Sequence, residues 1–120
     1  MKKYDPSLFF TELRSSIEQF YSSSGSTSLC QISDFIYSLQ GIVSVLLRTN
    51  DDCANPDHLL ALEALETVGH KLSQATEFRD LLGTLLGLSG KRHREERQEL
   101  LEQLASLIRF CYMNVSIGRK

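Results

Sequence analysis

Residues 29–46, LCQISDFIYSLQGIVSVL, place apolar side chains three and four positions apart along the whole segment. With this spacing the apolar side chains share one broad face of an α-helix, which is typical of a helix in the centre of a bundle. The β-branched run at 42–45 could instead form a strand, but the sequence offers no second strand to pair with it. Gly41 interrupts the pattern and could let a neighbouring helix approach closely. We therefore predict a central helix here.

Three further segments, at 9–21, 59–86 and 100–115, repeat the helical spacing of apolar residues. Asp5-Pro6 precedes the first and Asn55-Pro56 precedes the second. An Asp or Asn side chain can accept hydrogen bonds from the free N–H groups of a first helical turn, and proline fits that turn without strain. These two dipeptides therefore predict helix starts.

The segment at 59–86 leaves one alternative open. Its apolar pattern weakens at 73–76, so either one long helix crosses this point or Thr76 caps a separate, shorter helix. We favour a continuous helix because neither proline nor glycine lies there. Gly87 and Gly90 then end the pattern.

These segments predict an all-α fold, an antiparallel bundle of four or five helices. The 120 residues are the size of one domain, so we expect a single helical-bundle domain at 1–120. A serine-rich run without apolar side chains predicts a flexible connection at 22–28. The end of the chain, 116–120, is expected to fray.

Composition narrows the functional classes. The hydrophobic share of 42% is that of a globular protein, and the net charge of −2 favours neither a general nucleic-acid binder nor a strongly acidic chain. No apolar run approaches the ~20 residues that span a bilayer, and the N-terminal residues do not have a signal-peptide core. The three cysteines show no CxxC spacing, so we expect free thiols and a cytoplasmic location.

The charged residues are distributed unevenly along the second half of the chain. A basic cluster, 91–94, opens the last helical segment, where cations oppose the helix dipole. It could be a solvated helix start, partly neutralised by Glu95 and Glu96, or a site for an anion or an acidic partner. The charged side chains of residues 51–80 are mainly acidic. This acidic segment and the basic cluster could attract each other within one chain or between chains.

No set of residues indicates catalysis or metal binding. Glu63, Glu66 and His70 fall on one helix flank, but a di-iron bundle would need a second copy of such a motif on a facing helix. The sequence has no phosphate-binding glycine loop and no nucleophile elbow. We therefore expect no enzyme activity, no metal and no cofactor.

The stretch 81–88, LLGTLLGL, is apolar on almost every side of a helix. It contains an LxxLL pattern at 82–86 and two glycines in a GxxxG spacing, each of which also arises in ordinary helix packing. Such a stretch must be buried deeply or covered by a partner. We predict a non-catalytic protein–protein interaction module, a self-associating small adaptor, chaperone-like or regulatory subunit.

The predicted partner surface combines that apolar stretch with the basic start of the last helix: Leu81, Leu82, Leu85, Leu86, Leu88, Lys91, Arg92, Arg94 and Arg97. The alternative is a nucleic-acid-binding regulator that uses the four basic residues of this set. A protein partner, which could be a second copy of the chain, is the first expectation, and no membrane is expected.

Overall fold

The computed structural model describes residues 3–22, 29–72, 74–88 and 90–117. In these ranges the chain forms an all-α bundle of five α-helices and one short 3₁₀ turn, and no strand is present. The elements are α1 (Pro6–Ser22), α2 (Leu29–Arg48), α3 (Pro56–Lys71), α4 (Thr76–Leu86), the 3₁₀ turn (Lys91–His93) and α5 (Arg94–Ile117). The predicted fold class is confirmed, and the strand considered at 42–45 lies inside α2.

Two predicted features lie partly beyond the described residues. The serine-rich connection predicted at 22–28 begins with Ser22, the last residue of α1, and its remainder is outside the described ranges. Ser116 and Ile117, the start of the tail predicted to fray, belong to α5, and 118–120 are outside the described ranges.

The two proline-marked helix starts are confirmed by their caps. Asp5 Oδ1 accepts hydrogen bonds from the backbone N–H groups of Ser7 (2.9 Å) and Leu8 (3.4 Å). Asn55 Oδ1 accepts one from the N–H of Asp57 at 2.9 Å. Each cap satisfies backbone donors that have no partner inside the helix, a contribution of about 1 kcal/mol.

The predicted continuity of 59–86 is wrong, because α3 ends at Lys71 and α4 begins at Thr76. The start of α4 is capped by a residue from another helix. Glu12 of α1 accepts a hydrogen bond from the N–H of Glu77 at 3.0 Å and one from the Thr76 hydroxyl at 2.5 Å. Ser16 Oγ accepts the N–H of Gln74 at 3.0 Å. A carboxylate from α1 therefore takes the place of a local cap at this helix start.

The central helix is α2, which packs against both α5 and α3. The end of α2 lies near the start of α5, where Asn50 contacts Arg97, and Tyr37 lies near the other end of α5, against Tyr112. The two helices are therefore antiparallel. The fully buried side chains of α2 include Ile36, Leu39 and Leu46. Burying each of these stabilises the fold by about 1.5–3 kcal/mol.

Helices α3 and α4 approach each other closely at Gly69. A Cβ atom at Gly69 would overlap Leu82 Cδ2, so only glycine fits this crossing as it stands. Gly41, where the sequence suggested a close approach, has no heavy atom within 4 Å of an added Cβ. The same is true of Gly83, so the GxxxG spacing at 83–87 does not mark a contact with another described helix. None of the described helices is both long enough and apolar enough to cross a membrane.

Candidate partner-binding site

A buried arginine joins three elements at one end of the bundle. Arg97, on the second turn of α5, is only 3% exposed. Its Nε donates a hydrogen bond to Asn50 Oδ1 (2.5 Å) and its Nη2 donates one to the Asn50 carbonyl (3.1 Å). Asn50 is itself buried just after α2, and its Nδ2 donates to Gln98 Oε1 (2.8 Å) and to the Arg94 carbonyl (3.2 Å). These bonds hold the end of α2 against the start of α5.

The same guanidinium orders the segment between α4 and α5. Arg97 Nη1 donates hydrogen bonds to the carbonyls of Leu88 and Gly90, both at 2.8 Å. Gly90 has φ = 89°, a left-handed conformation that glycine adopts readily and other residues rarely do. The Asn50 and Leu88 carbonyls follow the C-terminal ends of α2 and α4, where the helix dipoles are negative and favour a cation.

Among the described residues, only neutral oxygens accept hydrogen bonds from Arg97. Its four bonds go to one amide oxygen and three backbone carbonyls. Within the described ranges, no carboxylate lies within ion-pair distance of it. A guanidinium has five N–H donors, so one remains for an acceptor that these residues do not supply. Buried charges are normally paired, which makes this cation unusual.

A buried histidine lies beside this cation. His58, in the first turn of α3, has its Nδ1 2.9 Å from Thr49 Oγ1, and that hydroxyl donates to the Val45 carbonyl at 2.7 Å. Since the single hydroxyl proton is used there, the proton of the imidazole is assigned to Nδ1. Burial lowers the pKa of His58, the nearby charge of Arg97 lowers it further, and Asp52 opposes them. The imidazole is therefore neutral at neutral pH.

A small cleft of about 110 Å³ opens between α3, the end of α4 and Arg97 at the start of α5. Five leucines form most of its wall: Leu59, Leu62, Leu85, Leu86 and Leu88. Cys53, His58, Gly90 and Arg97 complete the lining. We call this the leucine cleft. Leu59 is 54% exposed and Leu86 is 38% exposed at its rim. Its volume is that of about four liquid waters, so it can receive one side chain but not a drug-sized ligand.

Cations lie next to the leucine cleft. Lys91 and Arg92 follow Gly90 directly in the 3₁₀ turn and are both exposed. Arg94, the first residue of α5, forms an exposed ion pair with Asp51. That contact links the acidic segment to the basic one within the chain, but an exposed pair of this kind contributes little, about 0–1 kcal/mol.

The structure separates the predicted partner residues into two groups. Leu81, Leu82 and Leu85 are buried in the chain's own core, which accounts for this part of the apolar stretch, although Leu85 also contributes to the lining of the cleft. The other group lies at the surface or along the leucine cleft: Leu86, Leu88, Lys91, Arg92 and Arg94. Arg97 is buried but lines the cleft. Of the four basic residues on which the nucleic-acid alternative depends, Lys91 and Arg92 are exposed and have no ion-pair partner among the described residues.

The apolar spacing at 59–86 does not identify the buried face of α3. The segment begins with Leu59, which is exposed, whereas the buried positions of α3 are His58, Ala61, Leu65 and Gly69. The apolar run LLALEAL allows more than one choice of buried face. The signal that was missed is the spacing of His58 to Ala61 and Leu65, which places a polar residue on the buried face.

The described residues contain no group of three or more His, Cys, Asp or Glu that could hold a metal ion. No protein-family model, curated protein or solved structure matches this chain significantly. The function is therefore inferred from the geometry of the chain itself.

Proposed function

We propose that this chain is a non-catalytic protein–protein interaction module, acting as a small adaptor, chaperone-like or regulatory subunit. The observation that carries the proposal is the leucine cleft, where exposed Leu59 and Leu86 flank a buried Arg97 that has no carboxylate partner in the part of the chain that the structure describes. Exposed leucines beside a cleft of single-side-chain size are typical of surfaces that receive an apolar anchor from a partner.

The charges around the cleft specify the chemistry of that partner. A carboxylate next to the apolar anchor would face Arg97, a cation without a described carboxylate partner, at the lining of the cleft, and the exposed charges of Lys91 and Arg92 beside it. Charge-assisted hydrogen bonds to a guanidinium are roughly twice as strong as neutral ones. We therefore expect a partner segment with one apolar side chain beside an acidic residue.

A cytoplasmic location is part of the proposal. Cys53 and Cys111 are free thiols, as expected for a protein in a reducing compartment. Burial raises the pKa of the Cys111 thiol to about 12, so this residue packs as a small apolar side chain and is not a nucleophile.

The test compares which proteins the wild type and three variants of the purified protein capture from the native cell lysate. Leu59→Glu and Leu86→Glu each place a carboxylate at the cleft rim, and both should lose the proteins that the wild type retains. Leu8→Glu is the matched control, because Leu8 is also an exposed leucine, 45% accessible, but lies on α1 away from the cleft. Retention of the same proteins by all forms, or of none by the wild type, contradicts the proposal.

A further inference from the structure

The outward face of α2 is not covered by another described helix. Six of its residues form one exposed stripe: Asp34, Tyr37, Ser38, Gly41, Ser44 and Arg48. With 3.6 residues per turn, these positions fall within about 60° of Gly41 on either side. Tyr37 is 66% exposed, and a Cβ at Gly41 would meet no heavy atom within 4 Å. The stripe is therefore exposed, and at its centre the missing side chain of Gly41 leaves room for the backbone of another helix.

Two grooves run along this stripe and meet at Gly41. The groove between α2 and α5, of about 340 Å³, is lined by Tyr37, Gly41 and Ser44 among others. The groove between α2 and α3, of about 610 Å³, is lined by Gly41, Val45 and the exposed Leu60 among others. A helix lying over Gly41 could place side chains in both grooves at once.

The charges of the stripe are self-complementary. Asp34 and Arg48 lie seven residues before and seven residues after Gly41, two helical turns in each direction. In an antiparallel pair of α2 helices related by a two-fold axis at Gly41, Asp34 of each copy faces Arg48 of the other. Neither side chain has an ion pair within the described ranges. A parallel pair would instead oppose like charges.

The same two-fold axis also sets the contacts nearer its centre. Positions at equal distances before and after Gly41 face each other, so Tyr37 lies opposite Val45 of the second copy and Ser38 lies opposite Ser44. A two-fold interface repeats each contact, so one stripe supplies both sides.

We propose that the α2 stripe is a homodimer interface, occupied by α2 of a second copy in antiparallel orientation about Gly41. This proposal rests on the interaction role proposed above and deepens it, because it names one partner and the surface that binds it. The surface is separate from the rim residues of the leucine cleft, so the two can be tested independently.

Sedimentation velocity of charge variants tests the orientation as well as the surface. The wild type should be dimeric at about 50 µM. Asp34→Arg alone and Arg48→Asp alone each turn two attractive contacts into two repulsive ones, and each should raise the dimer dissociation constant about tenfold or more. An equimolar mixture of the two variants should dimerise again, and so should the double variant. Glu66→Arg, an exposed reversal on α3 outside the stripe, should leave the dimer unchanged.

The result that overturns the proposal is a wild type that remains monomeric at about 100 µM, or single variants that dimerise as strongly as the wild type. If a charge variant fails to fold by circular dichroism, Gly41→Leu replaces it, because the added side chain meets no atom of its own chain at Cβ. It should fold and be monomeric, and a dimeric Gly41→Leu overturns the proposal. If the dimer is refuted but Leu59→Glu still loses the captured proteins, the proposed function stands without the dimer.

Discussion

Replacement of Arg97 by alanine removes four hydrogen bonds from the point where α2, α4 and α5 meet. A hydrogen bond to a charged group contributes about 1.5–3 kcal/mol, but the four share one side chain and their losses are not additive. The variant also avoids the cost of burying a cation, which offsets part of the loss. We expect the free energy of unfolding to fall by about 3–5 kcal/mol, a large part of the 5–15 kcal/mol typical of a domain.

Urea unfolding followed by far-ultraviolet circular dichroism measures this loss. Arg109→Ala is the matched control, because Arg109 is an exposed arginine on the same helix, and its removal should change the unfolding free energy by less than about 0.5 kcal/mol. Arg97→Lys should fall between the two, because lysine keeps the charge but lacks the planar fork of five donors. The reasoning is refuted if Arg97→Ala is as stable as Arg109→Ala, since the cation would then cost as much as its bonds contribute.

Three further perturbations test other parts of the fold. Gly69→Ala should lower the free energy of unfolding by about 1–3 kcal/mol because its methyl group overlaps Leu82, whereas Gly83→Ala, with no such overlap, should raise it by up to about 1 kcal/mol. Urea midpoints that shift in the same direction for both variants contradict this. Glu12→Ala removes the cap of α4 and should cost about 1 kcal/mol, with faster amide hydrogen exchange at the start of α4 rather than throughout the chain. Because the pKa of His58 is lowered in the folded state, the unfolded chain takes up a proton as the pH falls below about 6.5 while the folded chain resists it. The contribution of the neutral imidazole to the free energy of unfolding is therefore fully present above about pH 6.5 and is lost as the pH falls below that value. His58→Gln should flatten that dependence between about pH 7.5 and pH 5, and an unchanged slope in urea titrations contradicts the assignment.

Most of the fold was predictable because the decisive signals are local. Apolar spacing indicated α1, α2 and α5, and the dipeptides Asp5-Pro6 and Asn55-Pro56 located two helix starts. The break between α3 and α4 was not predictable in this way. Its cap, Glu12, lies 64 residues before Thr76 in the sequence, and no local pattern reports such a contact.

The candidate site was predictable only in part. The sequence drew attention to Leu86, Lys91 and Arg92, which the structure places at the surface of one end of the bundle. The burial of Arg97 could have been inferred, because it lies three and four residues before the buried Leu100 and Leu101. Its partners could not, since the Asn50 contact spans 47 residues and depends on how α2 and α5 meet.

The partner-binding role of the leucine cleft is tested most directly by photo-crosslinking from Cys53, a half-buried thiol in the lining of the cleft. A maleimide–benzophenone probe should react there and spare the buried Cys111, whose pKa is raised to about 12, once Cys30 is replaced by serine. Illumination in the native lysate should give discrete crosslinked species from Cys53. The same probe on Leu8→Cys in a Cys53→Ser background should not give them. Identical crosslinks from both positions, or none from Cys53, would contradict a partner-binding cleft.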